Sequence, residues 1–217
     1  MRRVFVLALL ALALPIAASA SGIDIPNQFG IISISNMAGT WGAGTIGSTT
    51  ITSDQVQLRS WGATTTGGSM GSVFFQTGTL ATGTISGGGT FNGGGAFDVI
   101  GVGAWANALT GLKCGGGCAL FTGVFQGPVT WTLTSGGSKN LTYTLSGTIY
   151  GQLYDGRMIT GTTTQNLYSV NEQLLEGVGH SRVGHTNLEV PEPGTLGLLG
   201  TGLVGIAGMF RRKLIGA

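Results

Sequence analysis

The sequence predicts an all-β chain: an antiparallel β-sandwich, or a barrel-like jelly roll, of about nine or ten strands, with a signal helix before it and a transmembrane helix after it. Three observations predict the β body. Apolar residues alternate with Thr and Ser at period two over several runs, as strands with one buried face require. Clusters of Gly, Ser and Asn punctuate those runs at short intervals, where turns belong. No segment of residues 21–188 keeps a 3.6-residue apolar pattern over three turns, although 99–112 can hold a short helix.

The elements follow in chain order. Residues 1–20 read as a signal peptide. Arg2 and Arg3 give a positive start, 4–14 is an apolar run, and Pro15 breaks it. Ala18 and Ala20 supply the small residues of a cleavage site, which places the cut between Ala20 and Ser21. That run is shorter than the ~20 apolar residues a membrane span needs. The body, 21–170, is a Gly/Thr-rich β domain. Its first half offers strand candidates at 31–35, 49–58, 72–77, 80–86, 89–100 and 119–126. The second half is clearer. Val129, Trp131 and Leu133 alternate with Thr130, Thr132 and Thr134; Leu141, Tyr143 and Leu145 alternate with Thr142, Thr144 and Ser146. Residues 135–138 form the loop between those runs, and Asp155-Gly156 predicts a two-residue turn with both positions at positive φ before a further strand at 157–168. Three strands therefore form a meander.

Trp41, Trp61, Phe74, Phe75, Phe97, Phe121, Phe125, Trp131 and Tyr143 are the candidate core, with Phe91 an anchor between two glycine clusters. A solvent-facing row of such rings would instead read as a sugar-binding platform. Residues 171–189 read as a linker, and 190–217 as a separate tail.

The 42 glycines among 217 residues lack a G-X-Y period and accompany only five prolines, which excludes collagen. A hydrophobic content of 42% excludes a disordered polyelectrolyte. The formal charge of +2 is misleading, because Arg2, Arg3, Arg211, Arg212 and Lys213 belong to the two ends. The body between them has five basic residues against seven acidic ones, a net of −2. No nucleic-acid partner follows from it.

Motifs that could carry chemistry are few. Cys114 and Cys118 are expected to form a disulfide closing a small loop. Zinc would need two more ligands, and a redox pair the C-x-x-C spacing. Gly101, Gly103 and Ala106 spell a dinucleotide-binding fingerprint, but no acidic residue follows about twenty positions on. The run from Gly93 to Asp98 half-matches a calcium-binding repeat that needs several copies. His180, Arg182 and His185 read as solvated linker residues, and Glu172 and Glu176 as one face of a short solvated helix. Asn140 and Thr142 spell a glycosylation sequon. No catalytic residues, cofactor or metal site are expected, so the chain is not expected to be an enzyme.

The tail carries the specific signal. Pro191-Glu192-Pro193 is followed by an apolar stretch, 194–210, and then by Arg211, Arg212 and Lys213. At 1.5 Å per residue the stretch makes roughly 25 Å of helix, the lower limit for a hydrocarbon core. The basic triplet would stop transfer and stay cytoplasmic. Gly197, Thr201 and Gly205 give a small-xxx-small face suited to helix contact in lipid. Residues 190–213 resemble a PEP-CTERM protein-sorting domain. The resemblance implies recognition by exosortase, a membrane-embedded transpeptidase-like enzyme of Gram-negative bacteria, cleavage near the Pro-Glu-Pro motif, and delivery to the cell envelope, often alongside exopolysaccharide production. Residues 121–133 also resemble the β passenger regions of some such proteins, with no activity implied. The expected function is an exported structural or interaction protein of the envelope, anchored in the inner membrane before processing. The alternative is a carbohydrate-binding β-sandwich whose partner is exopolysaccharide.

Overall fold

The structure, a computed structural model, describes residues 21–35, 47–54, 56–136, 140–170 and 178–190. The two flanking helices expected from the sequence lie outside these residues. Among the described residues no helix is long and apolar enough to cross a membrane.

The period-two runs become strands, and most continue further than their turn residues suggest. The strands are β1 (Ser21–Ser35), β2 (Thr50–Asp54), β3 (Val56–Leu58), β4 (Ser60–Trp61), β5 (Thr64–Thr65), β6 (Gly71–Gln76), β7 (Leu80–Thr84), β8 (Gly88–Phe91) and β9 (Gly94–Gly101), then β10 (Cys118–Phe125), β11 (Val129–Gly136), β12 (Asn140–Leu153), β13 (Met158–Val170) and β14 (Val178–Val190). One short helix, α1 (Ala104–Thr110), joins β9 to β10. Several neighbours in sequence are halves of one longer stave. β9 pairs with β6 and β10 while β8, just before it, pairs with β7 and β11. β12 then accepts β11 along its first half and β10 along its second. Each ladder from β1 round to β14 is antiparallel, and β14 lies beside β1. The result is a closed up-and-down barrel of eight staves: β1, β2/β3, β6/β7, β8/β9, β10/β11, β12, β13 and β14. Period two is common to sandwich and barrel. Closure was decided by the staves running on past their glycine kinks, so that each meets two neighbours and none is left as an edge.

The first strand begins at Ser21 rather than at residue 31, Ser135 and Gly136 belong to β11 rather than to a loop, and two further features differ from the sequence reading. Residues 178–189, read as linker, are the stave that closes the barrel. At the β12–β13 turn only Gly156 takes positive φ, at 87°, and Leu153 and Arg157 bracket a three-residue loop by hydrogen bonding. Asp155 stays at negative φ, and its carboxylate accepts from the Arg157 backbone and pairs with the Arg157 guanidinium at 2.6 Å. That pair holds the Asp155 carboxyl below the usual carboxylate range.

The interior is filled by side chains. Phe97 sits among Phe75, Phe121 and Phe125 with ring centroids 5.9–6.3 Å apart, all buried. Glycine makes room for them: a Cβ on Gly147 would lie 2.9 Å from the Phe125 ring, and one on Gly123 2.8 Å from the Phe121 ring. Towards the other end Trp131 stacks on Tyr143 at 4.4 Å. Trp131 Nε1 donates to the Ile85 carbonyl at 2.7 Å and the Tyr143 hydroxyl to that of Ser86 at 3.0 Å, which pins the β7–β8 turn across the barrel end. Phe91 and Trp61 are buried as expected, Phe74 is half-buried beside Asp98, and Trp41 lies outside the described residues.

Where β13 and β14 meet β1, the interior turns polar. Asn27 Nδ2 donates to Gln165 Oε1 at 2.7 Å, and Gln165 Nε2 donates back to Asn27 Oδ1 at 3.2 Å. Gln165 also donates to Thr163 Oγ1 at 2.9 Å, whose hydroxyl meets that of Thr186 at 2.8 Å. All four are buried. Gly184 pairs with Gln165, and a Cβ there would collide with the Gln165 amide and stand 2.6 Å from Asn27 Oδ1.

The outer wall holds one anomalous carboxyl. Asp98 is opposite Phe74 on one side and Thr122 on the other, and its Oδ1 is buried without a hydrogen-bond partner. Burial pushes its carboxyl above the ordinary range, while a hydrogen bond from the Thr122 side chain pulls the other way.

Two predictions follow from these polar groups. Gln165→Leu strands the Asn27 amide and is expected to cost about 1–3 kcal/mol in urea unfolding, whereas Asn27→Leu/Gln165→Leu together cost less than the sum of the two single changes. Equal, additive losses would show that the amides do not act as a pair. For Asp98, a carboxyl that binds its proton more tightly when folded favours the fold at low pH. That contribution is complete below the ordinary carboxylate range and is lost as pH rises through the raised folded value. Asp98→Asn is therefore expected to raise Tm at neutral pH, with the gain over wild type shrinking as the solution is acidified through that window.

Candidate functional site

Of the residues assigned to processing, only Ser21 is among the described ones. Ser21 is the first residue of β1, and β14 ends at Val190. Ala18, Ala20, Pro191, Glu192, Pro193, Arg211, Arg212 and Lys213 lie outside the described residues, as do Glu172 and Glu176. The last register pair of β14 is Glu189 with Thr160, two residues before Pro191.

Cys114 and Cys118 are joined in a disulfide, with Cα atoms 5.0 Å apart. The loop they close is tied to α1: the Cys114 backbone N–H donates to Asn107 Oδ1 at 2.6 Å, and Gly111 ends the helix in left-handed geometry. Trp105 Nε1 donates to the Met70 carbonyl at 3.1 Å, so α1 and its loop are fastened to one end of the barrel. A helix does open just after Gly103, as a dinucleotide site would need. The chain then returns as β10 antiparallel to β9, which is not the parallel βαβ unit that the fingerprint requires.

His180, Arg182 and His185 all sit on β14, exposed on the outer wall. His185 Nδ1 stands 3.8 Å from Asp24 Oδ1, with both side chains more than half exposed. His180 lies against Tyr168 with ring centroids 6.0 Å apart. Among the described residues no group of three His, Cys, Asp or Glu side chains is arranged to hold a metal ion.

One concavity is formed on this side of the barrel, along the seam between β1 and β14. Phe29, Gly30 and Ile31 of β1 line one flank, with Gln57 of β3 beside them; Tyr168 of β13 and His180, Ser181 and Arg182 of β14 line the other. The groove has a volume of about 710 Å³, within the range of small-molecule sites. Sequence reasoning missed it because Phe29 falls ahead of the expected first strand and β14 was not expected to be a strand. Only the short Phe29-Gly30 step inside an otherwise alternating stretch hinted that the chain bends there.

Among known families, residues 189–213 match the PEP-CTERM protein-sorting motif. The chain carries that motif, and with it the mark of an exported protein sorted and processed through exosortase. No curated protein and no solved structure matches the chain.

Proposed function

We propose that the barrel is the passenger delivered by this sorting tail, and that it serves as a non-enzymatic structural or interaction protein of the bacterial envelope. The precursor parks in the inner membrane through residues 194–210, with Arg211, Arg212 and Lys213 stopping transfer. Pro191 and Pro193 keep the motif extended and non-helical, the form in which a protease-like active site takes a chain. After processing the barrel stays at the envelope or outside it.

The packed interior is the observation that carries the reading. Small barrels that hold a ligand in the lumen leave it open, and here the lumen is occupied by Phe75, Phe97, Phe121, Phe125, Trp131 and Tyr143. Whatever the protein contacts, it contacts with its outer wall. That wall is rich in hydroxyls and poor in charge, with Thr130, Thr132, Thr134, Thr162 and Thr164 exposed along β11 and β13. Such a surface suits close association with uncharged or hydroxylated material. Among the described residues no platform of exposed tryptophans is formed, because Trp61 and Trp131 are buried and Trp105 is half-buried.

Replacing Pro191-Glu192-Pro193 by three alanines is expected to leave an unprocessed, membrane-retained form in a strain that has the sorting enzyme, seen as a larger intact mass in the membrane fraction. Unchanged processing would remove the sorting mechanism from the proposal.

A further inference from the structure

We propose that the groove along the β1–β14 seam is a binding site for a six-membered ring bearing a carboxylate, with an apolar ring face on Phe29 and the carboxylate on Arg182. A uronate sugar and an aromatic carboxylate share this chemistry. The proposal rests on the interaction reading above and deepens it; the readouts are binding and stability rather than processing, so either can fail alone.

Two observations meet at one place. Phe29 is the only non-glycine residue at positive φ among the described residues, at 52°, and the residue is 61% exposed. A phenylalanine gains nothing by standing in water, and a side chain in left-handed backbone is strained. Strain and exposure on the same aromatic residue, at the lip of a groove, are features that a fold keeps when the ring has something to contact. The bend is held from behind by Gly30, where a Cβ would stand 2.6 Å from the Val56 Cα.

The second observation is Arg182. Its side chain is exposed next to Ser181 and has no acidic partner among the described residues. A guanidinium takes a carboxylate through two parallel hydrogen bonds, the geometry a lone planar fork favours. The Tyr168 and His180 rings line the β14 side with Arg182, and the Gln57 amide, on the β1 side, can read a ring hydroxyl or ring oxygen.

The test is a titration of the purified protein with glucuronate, benzoate and glucose, followed by NMR. At least one of the two carboxylated rings is expected to bind with Kd on the order of 1 mM, and glucose at least about ten-fold more weakly. The tighter acid identifies the source. Arg182→Gln should weaken the acid about ten-fold. Phe29→Gly is the decisive variant: glycine accepts the left-handed backbone, so binding should be lost while Tm holds or rises. No binding at about ten times the expected Kd, binding indifferent to Arg182→Gln, or a fall in Tm with intact binding in Phe29→Gly would each overturn the proposal.

Discussion

Everything in this barrel depends on one closure, the meeting of the first stave with the last. Of the eight contacts between neighbouring staves, seven join staves consecutive in the chain, but β1 and β14 are brought together from opposite ends of the domain. Loop-closure entropy opposes such a pairing, and on β14 the inward residues are mostly small or polar, with Leu188 the one large apolar residue. In place of more apolar side chains stands a reciprocal amide pair, Asn27 with Gln165, extended through Thr163 to Thr186 and roofed by Gly184. A buried polar network of this kind is directional. It is satisfied in one register and leaves unpaired amides in every other, so it specifies how the barrel shuts more than it adds to stability.

The glycine content follows from the same economy of space. A small barrel packed with aromatic rings needs wall positions without a side chain, and the rings of Phe121 and Phe125 lie against Gly123 and Gly147. On the outside, Thr and Ser fill positions that most soluble domains give to charged residues. Wall solubility therefore rests on hydroxyls, and the few charges present can act locally. Arg182 beside the seam groove is such a case.

Where the pattern was apolar inside and hydroxylic outside, the sequence disclosed the fold. β11, β12 and β13 were legible because Trp131, Tyr143 and Leu145 alternate with Thr and Ser, and the Cys114–Cys118 bridge was legible from spacing and destination. β14 was not, because its inward positions are Ser181, Gly184 and Thr186, with Leu188 as the one large apolar residue. Hydrophobic periodicity fails where the interior is polar. The same stretch hides the groove, which is made of residues that only strand pairing brings together. His180 and Arg182 looked like linker for the reason that makes them interesting: the wall turns them outward.

The stave that shuts the barrel is also the last one synthesised, and its final paired residue, Glu189, stands two positions before Pro191. Until that stave docks, the wall is an open sheet with bare backbone at β1 and β13, the condition in which strands add to neighbouring chains. The interval is set by the chain's own layout, since no spacer separates wall from sorting signal. An enzyme that grips residues before the motif must first lift the seam, and one that grips only residues after it can leave the barrel shut. The fold thus makes the direction of that grip a question of timing: it decides whether the protein is cut as a sheet or as a barrel.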